Sequence, residues 1–214
     1  MKTRIFNLII IDESGSMQSI KKQAIDSVNE TIQSIRAAQA EYEDQEHYVS
    51  LVSFNSFVKT VYECVPVGEV KELTEETYRP DCMTALYDAM GVSLNALRTK
   101  VAQEDKVLVT IVTDGEENSS QEYTGKAIKA LVDELKAKGW VFAYIGANQN
   151  VEAVAASISI TNTLNFHATC EGTALMSDRL SKSRTRWFSK IARKESSAPE
   201  DNLDFFDEDD DVKA

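Results

Sequence analysis

Asp12, Ser14 and Ser16 stand at alternate positions in the stretch FNLIIIDESGSM, which runs from Phe6 to Met17. One carboxylate and two hydroxyls around Gly15 are oxygen donors of short reach. Such donors suit a hard cation such as Mg²⁺ better than they suit zinc. The apolar run before them is short and ends in turn chemistry, which reads as a buried strand with Asp12 at its carboxyl end. In parallel α/β sheets that edge is where ligands bind. Val107 to Asp114, VLVTIVTD, repeats the pattern, and Gly115 follows it. Between the two runs, after Cys82 and Met83, Thr84 sets a third hydroxyl at the head of an amphipathic segment.

Two carboxylates, Asp12 and Asp114, approximately neutralise a divalent cation, and the hydroxyls of Ser14, Ser16 and Thr84 add donors without charge. A cation held this way keeps an appetite for an anion at an open coordination position, and Mg²⁺ keeps exchangeable waters there readily. A carboxylate supplied by a partner protein is the natural occupant. Asp81, Glu116 and Glu117 are expected to ring the site, drawing the cation but repelling an acidic ligand that lacks compensating basic residues. Glu13 is expected to point elsewhere, into solvent. Each piece alone has a plainer reading: Asp12, Ser16, Ser19 or Thr84 as helix caps, and Asp114-Gly115 as a turn. Their joint occurrence at strand ends on one edge is what argues for a site.

The D-x-S-x-S of Asp12, Ser14 and Ser16, the lone Thr84, and the T-D-G of Thr113 to Gly115 resemble the metal-ion-dependent adhesion site of von Willebrand factor type A domains. The resemblance covers roughly residues 4 to 166 and suggests a stand-alone member of bacterial or phage type. It implies Mg²⁺ or Mn²⁺, with direct coordination by Ser14, Ser16 and Thr84 and with Asp12 and Asp114 often acting through water. Many family members carry glycine just before the threonine. Here Cys82 and Met83 precede Thr84, so a less mobile or differently shaped loop is expected.

Positioning these residues takes a scaffold. After the first strand, Ile20, Ala24, Val28, Ile32 and Ile35 recur on one face of a helix from about Ser19 to Gln39. Tyr48–Phe54 and Phe57–Cys64 are separated only by Asn55 and Ser56, a hairpin signal that makes one strand antiparallel and puts the pair at the sheet's edge. A short helical turn is expected around Glu69 to Leu73, and Thr84 is expected to open a helix that buries Leu86, Met90, Leu94, Leu97 and Val101. Further elements are a strand at Lys106–Thr113, a helix at Thr124–Lys138 ended by Gly139, a strand at Trp140–Ile145, a short helix at Val151–Ser157 and a last strand at Thr163–Phe166. Alternating strands and helices with one hairpin predict a doubly wound, Rossmann-like α/β fold. Its sheet has six strands, mostly parallel with one antiparallel edge strand, and helices on both faces. Right-handed crossovers then bring Asp12 and Asp114 to the same edge.

Residues 1–170 therefore read as the domain, 171–195 as a basic helix packed on or near it, and 196–214 as a disordered acidic tail. The helix, from Thr173 to about Lys194, holds Arg179, Lys182, Arg184, Arg186, Lys190, Arg193 and Lys194, read as solvated on a docked surface helix. The tail reads either as a solubilising segment that touches nothing or as one that folds back on that helix or onto the metal, with Phe205 and Phe206 as an apolar anchor. The net charge of -12 is concentrated in the tail, so the folded part is only mildly acidic and gives no general case for nucleic-acid binding. Nucleic-acid association through the basic helix and acidic tail is the alternative function.

Enzyme chemistry is not expected. An aspartyl phosphatase of the haloacid dehalogenase type needs a second Asp two residues after Asp12, where Ser14 stands. In a receiver domain the phosphoacceptor Asp precedes the Thr, whereas Asp114 follows Thr84. No G-x-S-x-G is present, and His47 and His167 are isolated. Three cysteines, Cys64, Cys82 and Cys170, without metal-ligand spacing read as reduced thiols. With no apolar run long enough to span a bilayer and no secretory leader expected before the first strand, the reading is a cytoplasmic, monomeric, protein-binding chain.

Overall fold

The computed structural model describes residues 2–114, 117–147, 151–166, 169–194 and 205–206. Its elements alternate as the periodicity requires. They are β1 (Thr3–Asp12), a 3₁₀ turn (Gly15–Ile20), α1 (Lys21–Glu41), β2 (Gln45–Phe54), β3 (Val58–Pro66) and a second 3₁₀ turn (Val67–Glu69). Then come α2 (Leu86–Arg98), β4 (Lys106–Thr113), α3 (Gly125–Ala137), β5 (Val141–Ala147), α4 (Val151–Ser157), β6 (Asn162–Phe166) and α5 (Cys170–Ala192).

The strands form one six-stranded sheet in the order β3-β2-β1-β4-β5-β6. Only the β2–β3 hairpin is antiparallel; the other neighbours are parallel. Successive residues of a strand point to opposite faces, and both faces are covered, so β1 reads as a continuous apolar run. Ile5, Ile9 and Ile11 pack beneath α1 and α5, against Val28, Ile32, Leu180 and Phe188. Phe6, Leu8 and Ile10 pack on the other side against Leu86, Met90 and Leu94 of α2 and Val132 of α3. The strand order reverses between β1 and β4, which creates a topological switch point at their carboxyl ends.

Several expectations are corrected. A 3₁₀ turn over Gly15–Ile20 precedes α1, so the long helix begins at Lys21 rather than near Ser19. No helix covers Lys71 to Pro80; the 3₁₀ turn lies earlier, over Val67–Glu69. The segment Thr74–Tyr78 is instead a turn, with the Tyr78 N–H donating to the Thr74 carbonyl at 3.0 Å. Thr84 does not open α2, which starts two residues later, because its backbone is claimed by another loop. Gly139 ends α3 with φ +85°, in the left-handed region that favours glycine.

The terminal helix is more deeply integrated than its charge suggested. Met176, Leu180, Trp187 and Phe188 are buried in the core, whereas Leu175 is exposed. Arg184 is also buried, which corrects its reading as a solvated residue. The phase of the helix decides this, because Arg184 is one turn from both Leu180 and Phe188. Phe205 is buried against the same core, and its N–H donates to Asn162 Oδ1 at 3.0 Å. Phe206 packs beside Phe205, partly buried, and the remaining residues of the acidic tail lie outside the described residues, as does His167.

Candidate metal centre

Asp12 is the last residue of β1 and is fully buried. The Ser14 N–H donates to its Oδ1 at 2.7 Å, closing a tight turn, and the Thr113 hydroxyl, from the end of β4, donates to its Oδ2 at 2.6 Å. The Tyr78 hydroxyl donates to the Asp12 carbonyl. That turn sets Ser14 and Ser16 side by side, with their hydroxyl oxygens 3.1 Å apart. Ser16 Oγ in turn donates to Asp114 Oδ1 at 2.7 Å. A continuous set of oxygens thus runs from β1 to β4 across the switch point.

Thr84 reaches this edge through its loop. The Gly15 N–H donates to the Cys82 carbonyl at 3.1 Å, stitching the loop before Thr84 to the serine loop. Asn118 Oδ1 accepts from the Thr84 N–H at 2.9 Å, and the Thr84 carbonyl accepts from the N–H groups of Asn118 and Ser119 at 3.0 and 3.1 Å. Thr84 is consequently buried and fixed. Cys82 is exposed and sits at φ +67°, so the loop takes a left-handed residue although no glycine is present.

Burial pushes the Asp12 carboxyl above the usual carboxylate range; hydrogen bonds from Thr113 and Ser14 oppose the rise, and the charge of Asp114 adds to it. Asp114 is raised too, by burial, with the Ser16 hydroxyl pulling the other way. Two carboxylates that each disfavour their own charge in this pocket are what a divalent cation would stabilise. Among the described residues no group of three His, Cys, Asp or Glu side chains could hold a metal ion. The oxygens here come from two carboxylates and three hydroxyls, a neutral-leaning donor set that fits Mg²⁺ or Mn²⁺ rather than a softer ion. Asp12, Ser14, Ser16, Thr84 and Asp114 would hold such an ion. Bound there, it would act as a Lewis acid that accepts an external oxygen ligand.

The acidic surroundings divide. Asp81 is exposed, and its Oδ1 accepts from the Cys82 N–H at 2.7 Å. Glu117 accepts from the N–H groups of Tyr87, Ser119 and Ser120 at 2.9, 2.9 and 2.7 Å, and from the Ser120 hydroxyl at 2.7 Å. Its carboxylate therefore fastens the β4–α3 loop to the start of α2. Glu116 lies outside the described residues, and so does Gly115. Glu13 does not simply point into solvent: its Oε1 accepts from the Arg79 N–H at 2.6 Å, and its carbonyl accepts from the Asp81 N–H at 2.9 Å. One residue past the end of β1, Glu13 thus bonds the Tyr78–Asp81 loop. Sequence reasoning did not single out Thr113, Tyr78 or Asn118. Thr113 carried a signal as the T of T-D-G; Tyr78, 66 residues from its acceptor, and Asn118 carried none.

The sequence matches the von Willebrand factor type A domain over residues 8–177. The chain belongs to that family. Among solved structures it resembles a point mutant of the PilB minor pilin from Streptococcus sanguinis, with a TM-score of 0.63 and 13% identity over 92% of this chain and 64% of the pilin. It also resembles the vWF domain of the type V pili tip protein Mfa5 from Porphyromonas gingivalis, with a TM-score of 0.59 and 11% identity over 91% of this chain and 95% of that one. A third likeness is to proximal thread matrix protein 1 of the mussel byssus, with a TM-score of 0.59 and 12% identity over 85% and 46% of the two chains. At these identities the likeness is one of fold. The chain spans less than two thirds of the pilin and less than half of the byssal protein. The sequence matches no curated protein.

Proposed function

We infer that this type A domain is a protein-binding module that captures an acidic side chain of its partner through a bound Mg²⁺ or Mn²⁺. One observation carries the reading: the hydrogen-bonded set of Asp12, Ser14, Ser16, Thr113 and Asp114 oxygens at the switch-point edge. Membership of a family with this donor pattern and the fold shared with a pilus-tip domain support it. Two carboxylates leave the cation without surplus negative charge, so an incoming carboxylate is the preferred further ligand. Binding rather than catalysis follows from the same commitment, because Ser14 and Asp12 face the cation and each other. His47 is buried, with its Nε2 2.9 Å from Gln45 Oε1, and sits at the opposite end of the sheet near the start of β2. It is no base for them.

The nucleic-acid alternative loses ground at the basic helix. Arg184 is buried and Lys182 pairs with Asp178 at 2.7 Å, which leaves a thinner positive stripe than the sequence suggests. Among the described residues no helix is long and apolar enough to cross a membrane. Free Cys64 and the exposed, free Cys82 suit a reducing compartment, so a cytoplasmic protein of bacterial or phage type remains part of the proposal.

The test is affinity capture of partners by the wild-type chain in Mg²⁺, repeated in chelator and with Asp114→Ala. The reading expects the same partners to be lost in both controls. Partners retained equally in all three conditions would count against it.

A further inference from the structure

Four large apolar side chains are exposed among the described residues, and two of them stand on the metal edge. Phe57, at the tip of the β2–β3 hairpin, is 76% exposed, and Met83, next to Thr84, is 52% exposed. Their loops are joined to the site in a row. The serine loop bonds the Thr84 loop through the Gly15 N–H and the Cys82 carbonyl at 3.1 Å. The Thr84 loop bonds the hairpin tip twice, from the Met83 N–H to Ser56 Oγ at 3.2 Å and from the Ala85 N–H to the Asn55 carbonyl at 2.9 Å. The hairpin tip bonds back to β1, where the Glu13 N–H donates to the Phe54 carbonyl at 2.6 Å.

The tip itself is held rigid. Asn55 Oδ1 accepts from the Phe57 N–H at 3.0 Å, and the Asn55 N–H donates to the Phe57 carbonyl at 3.1 Å. Phe57 is therefore presented by a closed turn rather than left on a loose loop. Turn positions usually carry small polar residues, and a phenyl ring there gains nothing from folding. Single exposed apolar residues are ordinary, but two on adjoining, mutually bonded loops beside a cation site are a surface that a partner can cover. The flanks of the site differ. The β4–α3 side carries Glu117, already bonded, whereas the hairpin side presents Met83 and Phe57.

Resting on the reading of a carboxylate-capturing cation, we propose that the partner is an extended peptide segment that combines an Asp or Glu with a bulky apolar residue two positions away. The carboxylate goes to the cation and the apolar side chain goes to Phe57 and Met83. An extended chain advances about 3.3 Å per residue and turns alternate side chains to one face, so residues two apart face the same surface about 7 Å from each other, within the roughly 5 to 10 Å that separate a strand from its first or second neighbour in the sheet. The apolar half sets which acidic segments are chosen, since the cation alone accepts any carboxylate.

The test uses two synthetic peptides, one with Leu two positions to either side of Asp and one with Ser in those places, titrated into the full chain in Mn²⁺ and in chelator. Binding is read by amide chemical shifts or calorimetry. The expected result is metal-dependent binding of both, with the Leu peptide tighter by roughly tenfold or more. In Phe57→Ser/Met83→Ser, both exposed positions, the Leu peptide should fall to the Ser peptide's affinity while metal dependence persists. Equal affinities for the two peptides in the wild type would overturn the apolar subsite and leave the cation reading intact. Absence of metal-dependent binding by either would overturn both.

Discussion

At the scale of single residues, the interior holds two basic side chains that the fold tolerates at a cost. His47 is buried edge-on to the Phe188 ring at 4.6 Å, and its Nδ1 has no hydrogen-bond partner among the described residues. Burial lowers its pKa from 6.5 to about 4. A base whose folded-state pKa is depressed binds fewer protons folded than unfolded, so its effect is to make stability fall as pH drops from about 6.5 to about 4. That interval corresponds to roughly 3 kcal/mol. Urea unfolding at pH 7 and pH 4 should therefore show the acid-induced loss shrinking by roughly that amount in His47→Leu; an unchanged loss would mean that His47 does not titrate in the fold. Arg184 is the second case. Among the described residues its guanidinium meets only the hydroxyls of Thr31, Ser34 and Thr110, at 3.2 to 3.4 Å, and its Nε has no partner there. Burial brings it down to about 9, still protonated at neutral pH, so among the described residues a charge is enclosed without a carboxylate. Replacing an unpaired buried charge by a matching apolar side chain removes a desolvation penalty, and Arg184→Met should raise stability by about 1–3 kcal/mol. A drop of similar size would show that the hydroxyl contacts outweigh that penalty.

At the scale of elements, the ends of β1 and β4 were legible because each announces itself twice, by an apolar run and by the carboxylate that stops it. β4 was read as Lys106–Thr113 and α4 as Val151–Ser157, and both are found with those bounds. The loops between were not legible, because what shapes them is hydrogen bonding between residues far apart in the chain. Glu117 fastening the Tyr87 N–H and Asp88 fastening Gln121, Glu122 and Tyr123 leave no periodic trace. The same holds for Arg184, since a sequence count of basic residues cannot tell which phase of α5 faces the sheet. Gly91 shows how closely the Asp114-to-α3 loop is pressed on α2: a Cβ there would lie 2.4 Å from the Tyr123 ring. Gly91→Ala sets a gain of up to about 1 kcal/mol in helix propensity against an overpacking cost of roughly 1–3 kcal/mol. Asp88 Oδ1 holds the Tyr123 N–H at 2.8 Å and Asn95 Nδ2 donates to the Tyr123 hydroxyl at 3.2 Å, so the ring cannot easily retreat and a net loss of about 1–2 kcal/mol is expected by thermal unfolding. In a Tyr123→Ala background the sign should reverse; a loss in both backgrounds would point to a cause other than the ring.

At the scale of the molecule, Asp12 and Asp114 are brought to one edge by a topology that no local stretch contains: the strand order reverses between the parallel neighbours β1 and β4, and Ser14 and Ser16 link the two strand ends there. α5 and the buried Phe205 close the opposite face, so the domain extends well past the strands that first suggested it. A ligand that binds only the folded chain stabilises it by mass action, and a cation present at 100 times its dissociation constant should add about 2.7 kcal/mol. The most direct measurement is a calorimetric titration of Mn²⁺ or Mg²⁺ into the wild type, Asp12→Ala and Thr84→Ala, with circular dichroism confirming that all three are folded. The account predicts one site in the wild type, with its stabilisation, and none in either variant. Equal metal binding by the wild type and Asp12→Ala would contradict it.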